Sequence, residues 1–170
     1  MLKASRLSLP RSNTLRILSM ALVLVTGACS VLGPPDPMAD LRIREIETQV
    51  WNNLMPGQRA RCNATMTVML GNTGADTLRL GNAEALLVDA RGGAPVRRFP
   101  PSMLLGNQPA RELTILPGDS VEVLFRSPSF GLEPIDVNTY PLLRMSVRLL
   151  DAMNRPLTIT GAPGKVFVTM

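Results

Sequence analysis

Arg61-Cys62-Asn63-Ala64-Thr65-Met66-Thr67-Val68-Met69-Leu70 alternates without a break. Cys62, Ala64, Met66, Val68 and Leu70 share one parity, and Asn63, Thr65 and Thr67 the other. That is the two-residue period of a half-buried strand, not the 3.6-residue period of a helix. Gly71-Asn72-Thr73-Gly74-Ala75-Asp76 follows, a turn composition in which Gly and Asn accept positive φ. Further along, Leu143, Met145, Val147 and Leu149 repeat the pattern against Arg144, Ser146 and Arg148.

Outward from these two segments, the same period predicts a strand over Leu41 to Trp51, with a parity change between Ile43 and Ile46 that marks a bulge. Thr77 to Leu80 reads as a short extended piece. Asn82 to Arg91 fits a strand, or a helix behind an Asn cap, because Ala83, Leu86, Leu87 and Ala90 also form a helical face. Arg91-Gly92-Gly93-Ala94 and then Pro95 to Phe99 make a hairpin signature and favour the strand. Pro100 to Gln108 reads as loop. Glu112 to Leu116 and Ser120 to Arg126 read as strands around Pro117-Gly118-Asp119. Leu157 to Thr160 and Lys165 to Thr169 form one last strand interrupted by Gly161-Ala162-Pro163-Gly164. Of the 15 prolines, all but Pro10 lie at or beyond Pro34, so few stretches there leave room for a long helix. The expectation is an all-β domain over 40–170, an antiparallel sandwich of seven or eight strands. With 4% aromatic residues, its core must be aliphatic.

The N-terminus carries a different signal. Lys3, Arg6, Arg11 and Arg16 precede the apolar run Ile17 to Val25, which is about half the ~20 residues a spanning helix needs. Residues 1–28 therefore read as a signal peptide. Gly27 and Ala28 are small residues directly before Cys29. Thr26-Gly27-Ala28-Cys29 resembles the lipobox of bacterial lipoproteins, with Thr26 where that family most often has Leu, Val or Ala. The resemblance implies cleavage after Ala28, diacylglycerol on the Cys29 thiol and an acyl chain on its freed amine. Three chains make such an anchor effectively permanent. In that family an Asp after the cysteine retains the protein in the inner membrane; Ser30 here implies the outer membrane, facing the periplasm. Residues 29–39, with Pro34, Pro35 and Pro37, read as an extended tether of roughly 30 Å.

Two short motifs refine the fold. Val68-Met69-Leu70-Gly71-Asn72-Thr73-Gly74 with Asp76 to Leu80 resembles the second strand and following turn of bacterial immunoglobulin-like and fibronectin-like envelope domains. Leu113 to Val123 resembles their later Pro-Gly turn, which leads into a strand that pairs with the second. The resemblance implies an immunoglobulin-like sandwich. WHy-type domains share a similar pattern but prefer Asn where this chain has Gly74. Neither family supplies a catalytic residue to this chain.

Composition narrows the functions. The 170 residues contain no His, which removes the usual base of hydrolase triads and the usual nitrogen ligand of zinc and copper. There are 18 Lys and Arg against 13 Asp and Glu, but four of the cations precede Asp36, the first acid. From Cys29 onward the chain is within one charge of neutral, with its arginines interleaved among acids, which argues against nucleic-acid binding. Cys62, left without a partner once Cys29 carries lipid, is expected to point inward. The methionines do not cluster as a copper site would. Gly118-Asp119-Ser120 resembles a lipase nucleophile block, yet with no His it reads as a plain turn. Glu45 and Glu47 read as a solvated strand face. No catalytic residue, metal ligand or cofactor is expected. The expected function is a non-enzymatic envelope lipoprotein that binds or scaffolds another envelope component, in contact with the membrane through its lipid and with a protein partner through a strand edge or the loops at one end of the sandwich, such as Pro100 to Arg111 or Ser127 to Tyr140. The alternative is a periplasmic carrier of a small ligand or metal.

Overall fold

A computed structural model of the chain describes residues 39–53, 61–131 and 140–169; Gly27, Ala28 and Cys29, the signal peptide and nearly all of the tether lie outside the described residues. The described residues are all-β. The strands are β1 (Leu41–Asn53), β2 (Arg61–Asn72), β3 (Leu78–Asp89), β4 (Pro95–Phe99), β5 (Ser102–Leu105), β6 (Gln108–Ala110), β7 (Glu112–Ile115), β8 (Ser120–Arg126), β9 (Phe130–Gly131), β10 (Leu142–Asp151), β11 (Pro156–Thr160) and β12 (Gly164–Thr169).

The alternation in β2 has the predicted consequence. Cys62, Ala64, Met66, Val68 and Leu70 are buried, and the residues between them are half-buried on the outer face. β2 lies between β1 and β8, antiparallel to both. β10 lies antiparallel between β3 and β11, and sends Leu143, Met145, Val147 and Leu149 into the same core. The predicted bulge is present: pairing with β2 slips between Arg44 and Glu47, so two residues of β1 stand opposite one of β2. Leu41 and Ile43 therefore face the core before the bulge, and Thr48 and Val50 after it.

The segment Asn82 to Arg91 is strand as far as Asp89, continuous with Leu78 to Leu80 in the single strand β3, and turns at Ala90 and Arg91. Asn82 sits in the left-handed region (φ 49°), and pairing with β10 slips between Arg148 and Leu150. This irregularity moves the buried parity from Leu80 to Ala85 and Leu87, which explains why the local sequence also mimics a helical face.

The expected antiparallel sandwich is corrected. The hydrogen-bonded path runs β4-β3-β10-β12-β1-β2-β8-β5-β6 and curls as a mixed half-barrel around one core. β12 causes the difference. Its first residues pair with β10 (Leu142 with Lys165, Leu143 with Gly164), and its later ones run parallel to β1 (Val50–Asn53 with Val166–Thr169). Pro163 has no N–H to extend the β11 ladder, so the chain leaves it there. Gly161 and Gly164 let the crossing press against Thr48, where a Cβ on either would collide.

A second crossing corrects the loop expected over Pro100 to Gln108. Pro100 and Pro101 end the ladder of β4 on β3, and β5 restarts on β8. β5 and β6 then form a hairpin turned at Gly106 (φ 58°). The core is mainly aliphatic, as expected, but it also contains Phe99, Phe125 and Phe130. Phe99 and Phe130 stack at 5.8 Å, and the Arg97 guanidinium lies 5.8 Å from the Phe130 ring centre.

Candidate functional site

The chain has one Trp, one Tyr and four Phe. Three of the Phe are in the core and Tyr140 packs against it. The remaining two aromatics, Trp51 and Phe167, lie 116 positions apart in sequence and are register partners across the parallel β1–β12 pair. Both project from the outer face. Trp51 is half-buried, and Phe167 is 53% exposed, one of three large hydrophobic side chains so exposed among the described residues.

The sheet switch that creates this neighbourhood also creates a groove. β12 meets β1 only from Val50 onward, so the stretch of β1 before it is flanked by the crossing and not by a paired strand. The gap is a groove of about 420 Å³, with Ile46 and Trp51 along β1 and Ala162, Pro163, Lys165 and Phe167 along the crossing and β12. Polar groups border it: Gln49 Nε2 donates to Glu47 Oε1 at 2.6 Å, and Lys165 is exposed. Aromatic rings flanked by hydrogen-bonding groups are the composition of a contact surface, because they exclude water over a large area at little cost in rotamer freedom. Two other clefts are more polar. One of about 270 Å³ sets Arg42 and Arg44 beside Asp119, and one of about 410 Å³ sets Arg79 and Arg111 beside Glu112.

The segments expected from sequence as contact surfaces are placed as follows. Pro100 to Arg111 is mostly the β5–β6 hairpin, with Met103 buried. Ser127 is buried: its Oγ accepts from Ala64 N and its N–H donates to Ala64 O, both at 2.8 Å. Phe130 belongs to the core, and residues 132–139 lie outside the described residues. Gly118-Asp119-Ser120 is a structural turn, in which Gly118 N donates to Asn72 O and Asp119 O accepts from Asn72 N, both at 2.9 Å. Gly118 takes φ 79°, a conformation suited to glycine.

Cys62 is buried and unpaired, as expected from its parity. Burial pushes its thiol up from 9.0 to about 11. The native thiol is therefore expected to resist an aromatic disulfide reagent at pH 8 and to react at once in denaturant. Because the folded value lies above the unfolded one, the stability linked to this group is complete below pH 9 and is lost as pH rises from about 9 toward 11. Replacing Cys62 with Ala should flatten that alkaline decline in urea titrations run across the window.

No family model matches the chain, and no curated protein does. Among solved structures, the chain is similar to a structural-genomics protein, target SoR45, with 13% identity over 76% of this chain and 87% of that one and a TM-score of 0.43. It is also similar to target BeR40 from Bordetella pertussis, with 14% identity over 73% and 89% and a TM-score of 0.38. A third is Spo0M, a sporulation control protein from Bacillus subtilis, with 16% identity over 77% of this chain and 50% of that one and a TM-score of 0.39. At these identities and scores, nothing of function passes from those proteins to this chain.

Proposed function

We propose that this chain is a lipid-anchored bacterial envelope protein, non-enzymatic, whose β domain binds or scaffolds another envelope component at the Trp51–Phe167 groove. The observation that carries the binding role is the convergence, on one outer face, of the two aromatic residues that the core does not use. The anchor rests on Thr26-Gly27-Ala28-Cys29, and Ser30 favours the outer membrane, facing the periplasm. The domain's polarity fits both. The tether reaches β1 at Leu41, and Trp51 lies ten residues further along the strand, roughly 33 Å away at about 3.3 Å per residue. That separation from the anchored end of the strand suits a partner in the periplasm.

We read the half-barrel as a derivative of the immunoglobulin-like sandwich. Supporting this, β1, β2 and β8 form one ladder and β4, β3, β10 and β11 another around a shared core. The strand after the Pro-Gly turn also pairs with the second strand.

A photo-crosslinking residue at position 167 in cells should yield a discrete protein adduct that Trp51→Ser reduces by at least about tenfold, the loss of roughly 1.4 kcal/mol or more expected of a central aromatic. The same residue at exposed position 98 should yield none. Equal adducts from both positions would refute the groove. A large rise in melting temperature with one metal or small ligand would instead favour the carrier. Cys29→Ala should release the protein from membranes under high-salt and alkaline washing, and retention would refute lipid attachment.

A further inference from the structure

We infer that the end of the domain where β1 begins docks onto the bilayer surface, with Leu116 and Met153 dipping into the headgroup region. This inference rests on the lipid-anchor reading above. Leu116 is 54% exposed and Met153 71% exposed; with Phe167 they are the large hydrophobics so exposed among the described residues. Both sit at the tips of connections at the same end. Leu116 begins the β7–β8 turn, which bonds to Asn72, and Thr73 beside it donates to Asp40 O at 2.7 Å, immediately before β1. Met153 sits in the β10–β11 turn. There Asp151 is level with Leu80 of β3, two residues from the Leu78–Ile115 pair that precedes Leu116.

Neither tip is exposed for want of structure. Asp151 Oδ1 accepts from Met153 N at 2.9 Å and Arg155 N at 2.7 Å, Asp151 Oδ2 accepts from Arg155 Nε at 2.7 Å, and Asn154 takes φ 61°. The Leu116 turn is fixed by Gly118 and by the bond from Asp119 N to Leu116 O at 3.0 Å. Two rigid turns therefore hold apolar side chains out at one end.

The reach of the chain selects the occupant. Eleven residue-to-residue steps separate Cys29 from Asp40, which at no more than about 3.6 Å each span at most ~40 Å. Contact between the bilayer and the Leu116–Met153 end needs no extension of that segment. Contact at the opposite end would require it to double back along β1, whose 13 residues are about as long as its full reach. Arg42 and Arg79, exposed at this end, suit phosphate headgroups, while Asp40, Asp76 and Asp119 keep the attraction from being purely electrostatic.

The test uses the full lipidated chain on vesicles of phosphatidylethanolamine and phosphatidylglycerol. Leu116→Cys, Met153→Cys and, at the opposite end, Gly92→Cys each carry an environment-sensitive nitrobenzoxadiazole label; Cys29 is alkylated and Cys62 is buried, so only the introduced thiol reacts. Expected is blue-shifted emission and loss of iodide quenching at 116 and 153, with position 92 remaining as in water. Flotation with the vesicles while all three labels read water would overturn the docking alone. Failure to float would overturn the anchor and the docking with it.

Discussion

Asn72→Ala is expected to cost about 3 kcal/mol in urea unfolding, shifting the midpoint with an unchanged slope. Asn72 is 1% exposed, and its side chain meets every bonding demand at the junction of two turns. Nδ2 donates to Asp76 O at 2.7 Å and to Ile115 O at 3.0 Å, and Oδ1 accepts from Gly74 N at 3.0 Å. Truncation leaves Ile115 O without this partner in a buried place and the other two groups in part-buried ones, so the loss exceeds the net worth of the bonds themselves. Asn72→Asp separates geometry from chemistry. It keeps the shape and the acceptor but sets a carboxylate against two carbonyl oxygens. It should be at least as damaging at neutral pH and should recover in part as acid protonates the new carboxyl, which can then donate once.

Gly164→Ala is expected to be as severe, about 3 kcal/mol, and beyond rescue from the facing side chain. A Cβ at position 164 would collide with the backbone carbonyl of Thr48, whereas one at 161 would collide with the Thr48 hydroxyl and approach Met145 O and Met66 Sδ at 3.2 Å. The Thr48 hydroxyl is buried with no hydrogen-bond partner among the described residues, so Thr48→Ala removes the obstruction without losing a bond to any of them. Thr48→Ala should therefore return on the order of 1–2 kcal/mol to Gly161→Ala in a double-mutant cycle and close to nothing to Gly164→Ala. Equal rescue of both would mean that the crossing relaxes as a unit and is not pinned at the Thr48 backbone.

What could be read from the sequence follows from how local each determinant is. β2 and β10 were legible because one buried face imposes a period of two on neighbouring residues. The β1 bulge was legible because it breaks that period within one strand. The pairing of the strand after Pro117-Gly118 with β2 was implied only by the resemblance that the two turn motifs carry, since neither turn by itself names a distant partner. That the turns meet through Asn72 was not legible, because the bonds join residues more than 40 positions apart. The β5–β6 hairpin leaves no legible signal because strands of four and three residues behind two prolines are too short to show a period. The crossing at Gly161 to Gly164 reads in sequence only as an interruption, since parallel pairing with β1 leaves no local signature. The groove depends on that pairing, so Trp51 and Phe167 could be noted singly but not brought together.

The parallel clasp between the first strand and the last has a mechanical meaning. Tension from a membrane anchor would travel along the axis of β1, while a load held at Phe167 would pull β12 the opposite way. The inter-strand bonds lie across that axis and would share the force in shear instead of opening one after another like a zipper. Rupture under such a load is governed by the unfolding rate and not by equilibrium stability. The seam of four residue pairs in which β12 grips β1 therefore sets how hard the domain can be pulled before it gives way.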